Sequence, residues 1–281
     1  MVTLIKRFFL DTLKKKSGSN RAIFCISSGR SGSNYLAELL GTAREVVSFH
    51  EPEPTMTAEY LEMVNSQPYS DTKVLRQTKA ETVNPMLAAL RSDKVYCETN
   101  HMFIKTFFDV VIDNIETIDV IILRRDIRQV LRSFIELKYF SDGNTEWSKW
   151  MTSPNAVTSA VPAIAPDEQL DQYDLCIAYL IDIEARAQRF KMEYPWISVH
   201  EVELSDLNIK DRVLQLFTDL GVTPSWRTIR MIGKKVNQRR QKKNDYNNPA
   251  DFEYCSERIL QYIEKATSKG ICLPDTILMD S

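Results

Sequence analysis

Ala22-Ile23-Phe24-Cys25-Ile26-Ser27-Ser28-Gly29-Arg30-Ser31-Gly32-Ser33-Asn34-Tyr35-Leu36-Ala37-Glu38-Leu39-Leu40 reads as three elements in succession. Ala22–Ile26 is an unbroken apolar run, as in a strand buried on both faces. Ser27–Asn34 is a loop of small polar residues. From there Tyr35, Leu36, Leu39 and Leu40 recur with helical spacing on one face. The same alternation continues outward. Short apolar runs at Val46–Phe49, Val95–Glu98, Val120–Leu123 and Ile197–Leu204 predict further strands, and helical patterns fall at about 83–91, 103–115, 127–140, 172–193, 211–220 and 253–268. Strands alternating with helices imply an α/β fold: a doubly wound parallel sheet flanked by helices on both faces, in a single domain over residues 21–281.

Two stretches stand apart. Residues 1–20 carry Val2, Ile5, Phe9 and Leu13 at helical spacing and end in Ser17-Gly18-Ser19-Asn20, an amphipathic N-terminal extension expected to lie on the domain. Ser141 to Gln169 contains Gly143, three prolines and two tryptophans, Trp147 and Trp150, expected to be exposed, without steady periodicity. A long irregular segment inside a compact domain marks a lid or binding loop, here residues 141–171.

Composition narrows the function classes. The chain has 281 residues, 43% hydrophobic and 26% charged, the balance of a globular protein rather than a disordered one. No run approaches the roughly 18 apolar residues of a membrane span. The first 16 residues lack the order of a secretion signal. The five cysteines form no C-x-x-C pair and leave one over, which fits reduced thiols in a cytoplasm. Net charge is −2, yet Arg230, Lys234, Lys235, Arg239, Arg240, Lys242 and Lys243 cluster with no acid among them. An acidic chain with one concentrated basic segment is expected to hold an anion there. A nucleic-acid protein is disfavoured, because no RNA-module signature with stacking aromatics accompanies the basic run.

The first loop is suited to phosphate. Small residues let the backbone wrap closely, and the helix behind them presents unpaired N–H groups. It is neither a Walker A loop, since Gly32 is followed by Ser33 and Asn34 rather than by lysine, nor a G-x-G-x-x-G dinucleotide turn. A second anion site is suggested at the end of the fourth strand, Leu123-Arg124-Arg125-Asp126-Ile127-Arg128-Gln129-Val130-Leu131-Arg132-Ser133. Arg125 ends the strand and Ser133 lies about two turns into the next helix. A guanidinium and a hydroxyl are natural partners for phosphate, although Arg125–Asp126 could equally be a surface ion pair.

Together these motifs resemble the sulfotransferases that use 3′-phosphoadenosine 5′-phosphosulfate (PAPS), in their bacterial small-molecule or carbohydrate-type branch. Ser28–Leu36 is similar to the family's 5′-phosphosulfate loop. Leu123–Ser133 is similar to its 3′-phosphate motif, with Ile127 in place of the usual proline. The basic segment then falls where the family's late loop clasps the 3′-phosphate, and residues 184–221 resemble its later helix, strand and helix. The resemblance spans about residues 21–245.

The resemblance implies a set of roles. Ser28, Gly29, Arg30, Ser31, Gly32, Ser33 and Asn34 would hold the 5′-phosphosulfate, with Arg30 stabilising the leaving phosphate. Arg125, Ser133, Lys234, Lys235, Arg239 and Arg240 would hold the 3′-phosphate. His101, after the third strand, matches the family's catalytic histidine, while Glu51, in His50-Glu51-Pro52-Glu53, matches the glutamate of carbohydrate-sulfating members. His101 is the first choice of base and Glu51 the second. Acceptor contacts are expected from His50, Glu51, Glu53, Glu98, Trp147 and Trp150. Several carboxylates beside a cationic donor site suggest a small cationic acceptor such as a guanidinium alkaloid or a sugar. No metal is expected, and His50, His101 and His200 have no ligand spacing. The alternative is a nucleotide-dependent phosphotransferase with a degenerate P-loop. Acceptor identity, O- versus N-sulfation and homodimer formation stay open at this stage.

Overall fold

The computed structural model describes residues 21–142, 145–164, 169–234 and 251–279. The N-terminal helix expected over residues 1–20, and Lys235, Arg239, Arg240, Lys242 and Lys243 of the basic segment, lie outside the described residues.

Five strands, β1 (Arg21–Ile26), β2 (Val46–His50), β3 (Val95–Thr99), β4 (Thr117–Arg124) and β5 (Ser198–Glu203), form one sheet in the order β2-β3-β1-β4-β5. Every neighbouring pair is parallel. The sheet is buried on both sides, which is why its central strands read as apolar runs. Phe24, Ile26, Tyr96, Val120 and Ile122 face one core, against α6 (Ile127–Glu136), α7 (Gln172–Glu193) and α10 (Phe252–Ser268). Ile23, Cys25, Cys97, Ile121 and Leu123 face the other, with α1 (Ser33–Leu40) and α8 (Lys210–Asp219). Cys25, Cys97, Cys176 and Cys255 are buried free thiols, and Cys272 is an exposed one.

The remaining helices are α2 (Glu59–Ser66), α3 (Tyr69–Arg76), α4 (Thr78–Ala89), α5 (Phe108–Asn114), α9 (Trp226–Met231) and α11 (Asp275–Met279). Several helices differ from expectation. The pattern at 103–115 is a π-helical turn, Phe103–Phe107, running into α5. The helix expected to reach residue 140 stops at Glu136, because Lys138 and Phe140 adopt left-handed φ of 57° and 52°. α2 and α3 escape the apolar-periodicity reading because each buries few apolar side chains and α3 leaves Val74 and Leu75 exposed.

The order of strands places β1 at a topological switch, with β2 and β3 on one side of it and β4 and β5 on the other. The loops after β1, β2, β3 and β4 therefore converge at the carboxyl ends of the strands, where such sheets bind ligands. No helix among the described residues is long and apolar enough to cross a membrane.

Candidate active site

The loop between β1 and α1 bends through left-handed φ at Gly29 (79°), Arg30 (56°) and Gly32 (89°). At Gly32 a side chain is excluded twice over: its φ disfavours one, and a Cβ would lie 2.5 Å from Leu204 Cδ1. Inside the loop, Ser28 Oγ and Ser31 Oγ are 2.9 Å apart and each donates to or lies against Gly29 O, at 3.0 and 3.1 Å. α1 has no side-chain cap, so its first backbone N–H groups are offered outward. Ser33 is buried at this helix start, and Ser27 Oγ is buried without a hydrogen-bond partner at the strand end. Asn34, next to it, bonds Glu38.

Arg125 and Ser133 meet this loop from β4 and α6. Arg125 Nη1 donates to Arg30 O at 3.0 Å, and Arg30 Nε reaches Ser133 Oγ at 3.4 Å. Burial and then the Arg30 charge lower Arg125 from its ordinary value, the mark of two cations held together. Among the described residues neither guanidinium has a carboxylate within ion-pair distance. Asp126 does not pair with Arg125. It caps α6, accepting from the backbone N–H of Arg128 and Gln129, and the Arg128 side chain forks onto it. That arrangement leaves Arg125 available to an anion. Lys234 is exposed at the start of the basic segment.

The candidate bases also come together. His101 Nε2 lies 3.6 Å from Glu51 Oε1, and His50 Nε2 lies 3.9 Å from the same oxygen. Glu51 adopts φ 48° directly after β2, a strained conformation for a non-glycine residue and one that recurs at functional sites. His101 is nearly buried, and its ring sits 3.5 Å from where a Cβ of Gly29 would stand. It therefore faces the loop between β1 and α1 at close range. His50 Nδ1 is fixed on Thr99 O and Thr99 Oγ1 at 3.0 and 3.1 Å. His200 is elsewhere, but it has a partner that the sequence did not suggest: Nε2 lies 3.3 Å from Asp119 Oδ1, with Arg21 on the other carboxylate oxygen.

Three expected acceptor contacts, Glu98, Trp147 and Trp150, are placed differently. Glu98 is wholly buried and bonded to Lys79 (2.6 Å), Tyr96 OH (2.7 Å) and Asn100 Nδ2 (2.9 Å), so it belongs to the interior rather than to an open pocket. Glu53 is exposed and accepts from Thr55 N. Trp147 and Trp150 are half-buried, not exposed: Trp147 packs on Phe140 with ring centroids 4.4 Å apart, and Trp150 lies 6.2 Å from Tyr139. The described part of the 141–171 segment is bonded down. Lys149 O accepts from Ala58 N, Asn65 O from Val157 N, and Asp182 Oδ1 from Ala160 N.

Two lysines that the sequence reading passed over hold the site. Lys79 Nζ, besides Glu98, donates to Pro52 O and Pro54 O and so anchors the loop that carries Glu51. Lys105 Nζ contacts His101 Nδ1 at 2.8 Å, Trp150 O at 2.6 Å and Tyr179 OH at 3.1 Å. The His101/Lys105 spacing of four residues was the available signal. Tyr179 in turn donates to Ser28 O at 2.9 Å, which ties this cluster to the loop between β1 and α1. Among the described residues no group of three or more His, Cys, Asp or Glu side chains is arranged to hold a metal ion.

No family model and no curated protein matches the sequence. Solved structures that align with it include the sulfotransferase domain from the curacin biosynthetic pathway, at 16% identity over 90% of this chain and 99% of that one, with a TM-score of 0.49. The sulfotransferase domain of the Synechococcus PCC 7002 olefin synthase aligns at 13% identity over 90% and 95%, with a TM-score of 0.48. A sulfotransferase from Alicyclobacillus acidocaldarius aligns at 11% identity over 88% and 93%, also with 0.48. At identities this low, any functional reading rests on the side chains described above.

Proposed function

We propose that this protein transfers a sulfuryl group from PAPS to a hydroxyl, or to an amine or carbamate nitrogen, of a small acceptor. The observation that carries the reading is the convergence of Arg30, Arg125 and Ser133 on a glycine-bent loop, where neither guanidinium has a carboxylate partner among the described residues. Two cations and a hydroxyl at a helix start fit a ligand with two separate phosphate positions. The buried Ser27 hydroxyl, without a hydrogen-bond partner at the end of β1, fits an anion seated against the backbone.

PAPS supplies an activated sulfuryl group, and the chain's residues position it and remove a proton from the acceptor. The backbone of Ser28–Asn34 and the Ser33 hydroxyl hold the 5′-phosphate. Arg30 balances charge on that phosphate as it departs. Arg125 and Ser133, with Lys234 and the basic residues that follow it (Lys235, Arg239, Arg240), hold the 3′-phosphate. His101 and Glu51, side by side in front of the loop, take the acceptor proton. Glu51 and Glu53 are the carboxylates left to attract a cationic acceptor, such as a guanidinium-bearing metabolite or a sugar amine, with His50 beside them and Trp147 and Trp150 at the margin. The uneven cysteine set fits a cytoplasmic setting.

The test is turnover of PAPS in EDTA with a panel of guanidinium, amino-sugar and neutral hydroxyl acceptors, reading release of 3′,5′-adenosine bisphosphate. Acceptor-dependent release without metal is the expected result. Magnesium-dependent ATP consumption with no PAPS turnover would replace this reading by a phosphotransferase. Equal use of neutral and cationic acceptors would remove the proposed acceptor class.

A further inference from the structure

The three contacts of Lys105 do more than anchor it, because two of them can only accept a hydrogen bond. Trp150 O is a carbonyl. Tyr179 spends its hydroxyl hydrogen on Ser28 O, so toward Lys105 it offers only its oxygen. Two N–H groups of Lys105 are thereby committed, and its third position faces His101 Nδ1 at 2.8 Å. An ammonium would donate there and put the proton of a neutral imidazole on Nε2, the atom that faces Glu51. An amine has two donors and one lone pair. It would accept from Nδ1–H and leave the Nε2 lone pair open to the pocket.

We propose that Lys105 is a positioning residue that acts as an amine, holding His101 in the Nδ1–H tautomer so that Nε2 is the proton acceptor. The proposal deepens the sulfuryl-transfer reading and rests on it for its catalytic step. The surroundings of Lys105 support it. The Lys105 side chain is wholly buried and none of its three contacts is a carboxylate. The charges facing the pair come from every neighbouring element: Glu51 and His50 from the end of β2, and Asp182 with Arg186 from α7, the last two neutralising each other at 2.6 Å. Burial, opposed by Glu51 and reinforced by Arg186, holds Lys105 well below the usual lysine range. Burial likewise holds His101 well below its usual value.

In the step, the acceptor's lone pair forms the new bond to sulfur as the bond from sulfur to the 5′-phosphate oxygen breaks. The electron pair of that broken bond leaves with the adenosine bisphosphate. The acceptor's proton passes to Nε2. The imidazolium so formed can pass Nδ1–H to the Lys105 lone pair, giving an ammonium whose three donors already have their three acceptors in place.

The first test uses the ligand-free full-length protein with ¹⁵N-labelled histidine, His101 being assigned through His101→Gln. Between about pH 7 and 9 the His101 Nδ1 resonance is expected to be that of a protonated nitrogen and Nε2 that of a bare one. An Nε2–H tautomer would overturn the proposal. Either outcome is independent of what the protein catalyses, so failure here is distinguishable from failure to turn over PAPS. The second test is Lys105→Met. It is expected to lower kcat about 10- to 100-fold with KM for PAPS retained, part of the full contribution of a general base. The acid limb of the kcat profile should move to lower pH, because protonation then falls on His101 alone instead of on the pair. If Lys105 were an ammonium repelling charge, its removal would move that limb to higher pH, and the proposal would fail. If Lys105→Met does not fold, the wild-type tautomer decides the matter.

Discussion

Replacing Lys79 with methionine tests how the loop bearing Glu51 is held. The Lys79 and Glu98 side chains are 1% and 0% exposed and meet at 2.6 Å. Removing one partner strands the other in the interior, which costs about 3–5 kcal/mol for a buried pair. Glu98 keeps Tyr96 OH and Asn100 Nδ2, so the lower part of that range is expected. Lys79→Met should therefore lose about 3 kcal/mol in urea unfolding followed by tryptophan fluorescence, with the m-value unchanged. In the Lys79→Met/Glu98→Gln double variant the stranded charge is gone, and more than half of the loss should return. Activity should not return with it, because Pro52 O and Pro54 O remain unheld and Glu51 loses its placement. A loss below about 1 kcal/mol in the single variant is what a solvent-exposed pair would give, and it would refute the reasoning.

Other outcomes follow from single contacts. Gly32→Ala places a Cβ 2.5 Å from Leu204 Cδ1 at φ 89°. It should cost about 1–2 kcal/mol, and calorimetry should show adenosine bisphosphate binding roughly 5- to 30-fold more weakly. Unchanged affinity would mean that the ligand does not rest on this bend. Asp126→Ala removes the α6 cap and should lower stability by about 1 kcal/mol in the same unfolding assay. Asp119 gives a pH signature. Burial raises its pKa, but hydrogen bonds from His200 and Arg21 outweigh that and hold the carboxyl below its ordinary value. The folded chain therefore binds fewer protons than the unfolded chain, and this contribution is fully present above the unfolded value near 4 and lost as pH falls through the lower folded value. Asp119→Asn should be less stable at neutral pH, with a shallower decline in thermal midpoint between about pH 5 and 3. An unchanged slope would show that the Arg21–Asp119–His200 cluster does not set acid stability.

The sheet was legible because its central strands are buried on both faces and leave uninterrupted apolar runs such as Ala22–Ile26 and Val120–Leu123, and β1 to β5 lie within a few residues of the expected strands. The phosphate loop was legible because the Gly29 and Gly32 bends require residues with little or no side chain. What the sequence concealed was partnership. Asp126 beside Arg125 looks like an ion pair, yet its helix-capping geometry turns it toward Arg128. Glu98 looks like one more acidic group near the pocket, but its alternation on β3 carries it into the core, where Lys79 meets it from α4. Lys105 sits among apolar neighbours in Phe103-Ile104-Lys105-Thr106-Phe107, and only the π-helical turn there shows that its amine reaches His101 and Trp150. The two tryptophans read as exposed because their segment lacks periodicity, whereas long-range backbone bonds fasten that segment against α2 and α7.

The most direct measurement is a calorimetric titration, without magnesium, of 3′,5′-adenosine bisphosphate against 5′-adenosine monophosphate, in the wild type and in Arg125→Ala. The two ligands differ only in the 3′-phosphate. A charge-assisted contact of about 1.5–3 kcal/mol corresponds to a preference of roughly 10- to 150-fold for the bisphosphate in the wild type, and that preference should collapse in the variant. Equal affinity for both ligands, or a preference that survives the loss of Arg125, would contradict the assignment of Arg125 and Ser133 to a 3′-phosphate, and with it the proposed sulfuryl donor.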